Sequence, residues 1–528
     1  MGVLDYIWAG MLAVFSAAPA FEIFGFGIPI TVVMVLSGFL VGIVVGSTPG
    51  LAGPMAMAIS LPILISVFGY NPDALLPVVG FLIGIMKGAT VGGAVPAILF
   101  NTPGTPDAYL TTRDGYPMTL NGEAGKALRV AHFSSASGDT FSDMVLFIGA
   151  PFLAVFVEAY LDLPEKTALI ILSLTFISAA VGGSAARGLI SAALGMLIAY
   201  VGTGEDFYPR LTMGQQNLAS GFPIATAILG VLILGEVFKS IEDMMRDPAK
   251  RLASSGRTLA GESRLGLATI KGLFPYIRNS AVIGTMIGAL PGIGSTLAAT
   301  MGYASGQNKH KLQKNKLGPE FGKGAPEGVA ATEAANSAVS GANLIPVLSL
   351  GIPGNAAAVF LILATDSIGG FNPGPSVFRF TVEEVNPELV MVFGIFTTMV
   401  IANLANWTIG GVFMRYMGIM SRVPKQYLIP SVLLVTLTAI YVEETNLAAV
   451  WYAIGFGLLG YFMRRLNISV LPFVIAYILA GNLEVNARQA FSASGNDPWF
   501  LFKSPISVIF ILLSVYVVFH YSRRERQH

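Results

Sequence analysis

Four proline–glycine pairs, each set in a long apolar stretch, carry the chemistry open to this chain: Pro49-Gly50, Pro103-Gly104, Pro291-Gly292 and Pro353-Gly354. Proline removes a backbone donor and clashes with the preceding turn, and glycine permits reversal, so each pair interrupts or ends a helix. The pairs recur in order. Gly42-Ile43-Val44-Val45-Gly46-Ser47-Thr48-Pro49-Gly50 is answered half a chain later by Gly284-Thr285-Met286-Ile287-Gly288-Ala289-Leu290-Pro291-Gly292. Pro96 stands as far before Pro103-Gly104 as Pro346 stands before Pro353-Gly354. Polar or small residues accompany each pair: Thr48; Asn101, Thr102 and Thr105; Gly294, Ser295 and Thr296; Asn355. A helix that restarts there offers free N–H groups and the positive end of its dipole to an anion. The same residue types are ordinary N-caps, and the two roles are compatible. Unwound carbonyls near Gly50, Asn101, Gly292 and Gly351, with Asn336 and Asn343 nearby, suit a small cation such as Na+.

Lys87 is the remaining candidate. It falls deep in an apolar segment, where an ionisable residue is a functional hypothesis by default. It either neutralises an anionic substrate or serves the structure, by snorkelling to the interface or by pairing with Glu333. The Gly42-x-x-x-Gly46 and Gly284-x-x-x-Gly288 motifs read alone as close helix packing. Ending in Pro-Gly at one spacing in both copies, they read as the arms of hairpin tips.

The surrounding chain must position these residues in lipid. Of 528 residues, 54% are hydrophobic and only 12% charged, against about 25% charged in soluble domains. The mean hydropathy is +0.69. This is an all-α polytopic membrane protein. A net charge of +1 suggests no nucleic-acid partner, and the absence of cysteine excludes disulfides and thiolate chemistry. The N-terminus shows no basic region followed by a cleavage site, so no signal peptide is expected. His132, His310, His520 and His528 are expected in loops or near the C-terminus. No metalloprotease, nucleophile-elbow or nucleotide-binding motif is present. No enzyme activity, catalytic residue or cofactor is expected, and an ion gradient is the natural energy source.

Apolar stretches of the spanning length lie near 4–22, 142–161, 165–182, 186–202, 220–239, 389–411, 426–442, 446–462, 466–481 and 504–521. Cytoplasmic loops are rich in Lys and Arg. The basic segments 239–278 and 309–323 therefore both lie inside, although 279–305 separates them. A re-entrant hairpin over 279–305 satisfies this, and a hairpin over 27–69 mirrors it from outside. The stretches 74–111 and 329–368 are then broken crossings. The layout is about twelve transmembrane helices plus two re-entrant hairpins, with both termini cytoplasmic. It divides into a first inverted repeat over 1–238 with scaffold helices 142–238, a basic linker over 239–278, a second repeat over 279–521 with scaffold helices 389–521, and a tail over 522–528.

At these motifs the chain resembles the large membrane subunit of the tripartite tricarboxylate transporter family, the TctA type. The residues that carry the likeness are Gly92-Gly93-Ala94-Val95-Pro96, Asn101-Thr102-Pro103-Gly104-Thr105-Pro106, Asp114-Gly115-Tyr116-Pro117, Glu327 to Ser337, and Leu350-Gly351-Ile352-Pro353-Gly354. The resemblance implies a permease that imports citrate-like or other organic carboxylates across the bacterial inner membrane. It implies a small four-helix membrane subunit (TctB type) and a periplasmic solute-binding protein (TctC type) as partners. It implies coupling to a cation, Na+ ahead of H+, and elevator-like transport and scaffold domains. A stand-alone carboxylate/cation symporter and a passive anion channel are the competing readings.

Overall fold

The computed structural model describes residues 2–23, 25–48, 51–181, 184–203, 208–246, 265–290, 294–313, 316–369, 371–379, 385–416 and 425–525. The described part is almost wholly helical. In chain order the first elements are α1 (Val3–Phe15), a two-stranded hairpin of β1 (Pro19–Ile23) and β2 (Phe26–Pro29), α2 (Ile30–Gly46), α3 (Gly53–Phe68), α4 (Leu75–Phe100), α5 (Thr111–Leu120) and α6 (Ala124–Tyr160). Then come α7 (Leu163–Val181), α8 (Ala185–Ala199) and α9 (Ile224–Arg246). The second half holds α10 (Leu267–Gly288), α11 (Gly294–Leu312), α12 (Pro326–Ala342), α13 (Leu344–Leu350), α14 (Ala356–Ile368) and α15 (Pro387–Met414). It closes with α16 (Lys425–Glu444), α17 (Leu447–Arg465), α18 (Leu471–Ala493) and α19 (Pro505–Glu525).

Among the described residues, six helices are long and apolar enough to cross a bilayer: Pro72–Phe100, Ala124–Tyr160, Ile224–Arg246, Pro387–Met414, Leu447–Arg465 and Pro505–Arg523. The expected crossings at 165–182, 186–202, 426–442 and 466–481 are also helices, α7, α8, α16 and α18, but shorter or more polar. Two expectations need correction. The helix expected over 4–22 stops at Phe15, because Pro19 opens a strand that turns back at Gly25, where φ is +79°. The linker expected over 239–278 is helical at both ends, since α9 runs to Arg246 and α10 starts at Leu267; its middle lies outside the described residues.

The chain forms two compact units. The first is Met1–Ala154, Leu252–Leu290 and Gly294–Pro424, and so draws on both halves of the sequence. Its frame is glycine packing. A Cβ on Gly42 would lie 2.5 Å from the Ile85 carbonyl oxygen, and one on Gly46 would lie 2.2 Å from that of Ala89. Reciprocally, a Cβ on Gly84 would meet the Val35 oxygen at 2.4 Å and one on Gly88 the Phe39 oxygen at 2.2 Å. In lipid, helices gain little from apolar burial against each other, so close backbone approach through small residues replaces it. The matched numbers rise together, so α2 and α4 run parallel and the chain must return between them through α3. The 17 residues of α2 and 16 of α3 make arms of about 25 Å, just short of a hydrocarbon core of about 30 Å.

The second half uses glycine against alanine. A Cβ on Gly284 of α10 would lie 2.2 Å from the Ala335 oxygen, and one on Gly302 of α11 would lie 2.8 Å from that of Ala331. Ala330, Ala331, Ala334, Ala335, Ala338 and Ala342 of α12 are fully buried. Contacts ascend together between α10 and α12 and oppositely between α11 and α12, so α10 and α11 are antiparallel arms around α12.

The second unit is Val155–Arg251 and Lys425–His528, with Pro291–Ile293. Its internal packing is again glycine on backbone: Gly195 faces the Phe473 carbonyl and Gly460 that of Val231. Helix α9 contains a π turn over Gly230–Leu234. A π turn frees carbonyls from the regular ladder, and Arg464 takes them, donating to Val231 O and Leu232 O at 2.8 Å each while pairing with Glu236.

Candidate functional site

The two expected interruptions of 74–111 and 329–368 share one geometry. Helix α4 ends when Asn101 turns left-handed at φ 53°, and the Thr102 amide donates back to the Pro96 carbonyl at 3.2 Å. Helix α13 ends when Gly351 turns left-handed at φ 69°, and the Ile352 amide donates back to the Pro346 carbonyl at 3.2 Å. This is the six-residue closure of a Schellman motif. Pro96 and Pro346 therefore sit inside their helices and act as acceptors, while the reversals fall at 101–104 and 351–354.

After the first reversal the chain folds back on α4. The Gly104 amide donates to the Gly93 carbonyl at 3.2 Å, and a Cβ on Gly104 would lie 2.1 Å from Gly46 O, so only glycine fits. The Ser47 hydroxyl donates to Gly92 O at 3.3 Å, and Thr48, buried, donates to Val44 O at 2.8 Å. The end of α2 and the first reversal are thus one packed structure. Pro49 and Gly50 lie outside the described residues. Thr105 is buried and its hydroxyl has no hydrogen-bond partner among the described residues. The next segment, Pro106–Tyr109, is a single 3-10 turn, and α5 starts only at Thr111. The expectation that each Pro-Gly opens a new helix fails here: Pro106 starts only a 3-10 turn, and the α-helix begins five residues further on.

At the second reversal the expectation holds. Asn355 caps α14, its Oδ1 accepting from the Ala358 amide at 2.9 Å. Ile352, Pro353 and Gly354 are buried. Pro291 and Gly292 lie outside the described residues. Helix α11 starts at Gly294, with φ +76°, followed by half-buried Ser295 and exposed Thr296. The Thr296 hydroxyl donates to Asp107 Oδ1 at 2.7 Å. The start of α11 therefore meets the first reversal, although neither residue type nor spacing pairs them in the sequence.

Helix α12 adds a polar face beside this junction. Glu333 is fully buried; its Oε1 accepts from the Thr111 hydroxyl, and its Oε2 has no partner among the described residues. Asn336, one turn on, has neither side-chain atom paired among the described residues, and Asn343 Oδ1 has no partner among them either. Unpaired buried polar atoms are costly, so this face is suited to a ligand or ion. Nearby, Asp114 ties α5 to the start of α12. Its Oδ1 accepts from the amides of Gly322, Gly324 and Ala325 at 2.8, 3.0 and 2.8 Å, and its Oδ2 from Tyr303 at 2.9 Å. Burial pushes the Asp114 carboxyl above its usual range, against the pull of these four donors.

Lys87 stands apart from the reversals. Its ammonium donates to Asp139 Oδ1 at 2.8 Å, Asp143 Oδ2 at 2.7 Å and Asn403 Oδ1 at 3.2 Å. An ammonium has three N–H bonds, and all three are used. The partner expected in the sequence, Glu333, is bonded elsewhere. Asp139 and Asp143 were missed because they lie upstream of or at the edge of the expected crossing 142–161. Their i, i+4 spacing on one helix face was the available signal. Two histidine assignments also change: His132 lies on α6 and bonds Asn406 O at 2.8 Å, and His310 lies buried on α11 beside Glu327. No group of three or more His, Cys, Asp or Glu side chains fit for a metal occurs among the described residues.

An almost wholly helical, multi-pass membrane protein with paired interrupted helices fits the class of membrane transporters. The family model of the tripartite tricarboxylate transporter TctA family matches residues 32–475, and the chain belongs to that family. TctA proteins are the large subunits of tripartite transporters. A 52.8 kDa protein of the TAR-I ttuC' 3' region of Agrobacterium vitis is 30% identical over 494 residues, 91% of this chain and 90% of the relative. A second protein, of the TAR-II ttuC' 3' region of the same organism, is 30% identical over 239 residues, 44% of this chain and 92% of the relative. No solved structure matches.

Proposed function

We propose that this chain is the permease subunit of a binding-protein-dependent secondary transporter, importing tricarboxylate or other organic carboxylate anions and driven by a cation gradient. It would work in the bacterial inner membrane, both termini cytoplasmic, with a TctB-type membrane subunit and a TctC-type periplasmic binding protein. The observation that carries the reading is the repeated reversal, with Pro96 accepting from Thr102 and Pro346 from Ile352. Paired helix interruptions in corresponding places are what a transporter with inverted repeats needs around its substrate.

In this reading a substrate carboxylate meets the capped start of α14 at Asn355 and the amides at the start of α11, near Ser295 and Thr296. The coupling cation, Na+ ahead of H+, takes the free oxygens of Glu333, Asn336 and Asn343 with carbonyls near Asn101 and Gly351. The core of 27–111 and 279–368 moves, elevator-fashion, against the remaining helices. The test is uptake of labelled carboxylates by proteoliposomes holding the chain with its two partner subunits. Accumulation that needs the binding protein and an imposed cation gradient is expected. Full uptake by the chain alone would favour a stand-alone symporter, and uptake indifferent to any ion gradient and without saturation would favour a channel.

A further inference from the structure

The Lys87 cluster has a charge imbalance that packing alone leaves open. Four helices meet there: Lys87 comes from α4, Asp139 and Asp143 from α6, Ser340 and Gly341 from α12, and Asn403 from α15. The side chains of Lys87, Asp139 and Asp143 are 0%, 3% and 1% exposed. Asp139 Oδ1 accepts from Lys87 and from the Ser340 hydroxyl. Asp143 Oδ2 accepts from Lys87 and, at 2.7 Å, from the Asn403 amide. One ammonium faces two carboxylates, so the fully ionised cluster carries one uncompensated negative charge. A buried unpaired charge is expensive, and a carboxylate so placed takes a counter-charge.

The unmatched atom can be named. Asp143 Oδ1 is fully buried and has no partner among the described residues. The α12 backbone presses on it, since a Cβ on Gly341 would lie 2.1 Å from that oxygen. A sodium ion needs several oxygens around it and would stand close to the ammonium. A proton adds almost no volume and neutralises the cluster. We infer that Asp143, poised by Lys87 and Asp139, is a proton-binding site at the junction of α4, α6, α12 and α15, loaded and unloaded during the transport cycle. The proton bonds to Asp143 Oδ1 and leaves from it, and the cluster alternates between neutral and singly negative. This rests on the transport reading only for its role in the cycle; the binding of the proton stands by itself.

The test therefore has two arms. In the purified full chain, infrared difference spectra across a pH titration should show a buried carboxylic-acid C=O band that Asp143→Asn removes, while the variant keeps its helical circular dichroism and elution volume. In proteoliposomes with the partner subunits and equal Na+ on both sides, an inward proton gradient should raise accumulation at least tenfold. Asp143→Asn should lose that increase yet still exchange labelled for unlabelled substrate. Lys87→Gln should shift the titration of the same band, which a purely structural role for Asp143 would not predict. An identical band in wild type and folded Asp143→Asn protein would overturn the proposal. So would undiminished proton-driven accumulation by the variant. Failure of every uptake condition with the band behaving as expected would overturn the transport reading instead.

Discussion

The first and second helix reversals begin alike and end differently. Both close on an amide donated to a proline carbonyl inside the helix, and both place a left-handed residue at the turn, Asn101 in one and Gly351 in the other. Asparagine and glycine are the residues that adopt this conformation at least cost. Beyond the turn, the second reversal starts a 13-residue helix under an Asn355 cap. The first yields only the 3-10 turn Pro106–Tyr109 and turns Asp107 toward Thr296. The comparison teaches that a repeated backbone device need not bring a repeated binding surface. The second reversal offers the capped amide end of its own helix, whereas the first borrows the start of α11 and lies beside the Glu333 acceptor.

The hardest test of this comparison is Gly104→Leu. Its Cβ would lie 2.1 Å from Gly46 O, and overpacking a tight backbone contact costs about 3 kcal/mol or more. Little folded protein should reach the membrane, read by thermal unfolding in detergent and by immunoblot; normal levels would break the close packing of α2 on the first reversal. Next in size, Gly351→Ala forces a side chain into the left-handed region at about 1–2 kcal/mol and lowers the thermal midpoint, whereas Asn101→Gly leaves it near wild type. Equal effects at the two positions would erase the parallel between the turns. Asn355→Ala should cost about 1 kcal/mol in stability as a lost cap, and it should also weaken carboxylate uptake, which a cap serving stability alone would spare. Thr105→Val removes a hydroxyl with no partner among the described residues, so stability should hold or rise slightly while uptake falls. Smallest is Thr296→Ala, which loses one exposed hydrogen bond worth about 0.5 kcal/mol; a larger loss would mean that the Asp107 contact holds α11 in place.

Much of the fold was legible because breakers act locally. Pro103-Gly104 and Pro353-Gly354 mark reversals whatever surrounds them, and Gly42, Gly46, Gly284 and Gly288 mark helix faces that approach closely. The glycine row of α4, Gly84 and Gly88, completes a reciprocal pattern whose period of four was readable but whose partner was not. The site was less legible. Asp107 and Thr296 are 189 residues apart, and Thr111 and Glu333 are 222 apart; neither pair has a local signature. Asn101, Thr102 and Thr105 were found because they border a breaker, and Asp139, Asp143 and Asn403 were missed because they border none.

By itself the sequence determined that this chain lives in a bilayer, where its helices are interrupted, and to which transporter family it belongs. The first two follow from composition and from proline and glycine, whose conformational preferences are intrinsic to each residue; the third follows from the likeness of whole motifs to those of the family. Only the tertiary structure decided that the Lys87 ammonium is spent on Asp139, Asp143 and Asn403, and that one aspartate oxygen is left over. A charge balance belongs to whichever helices happen to meet, and helices that pack through bare glycine and alanine faces announce how near they come, not which charges they will bring together.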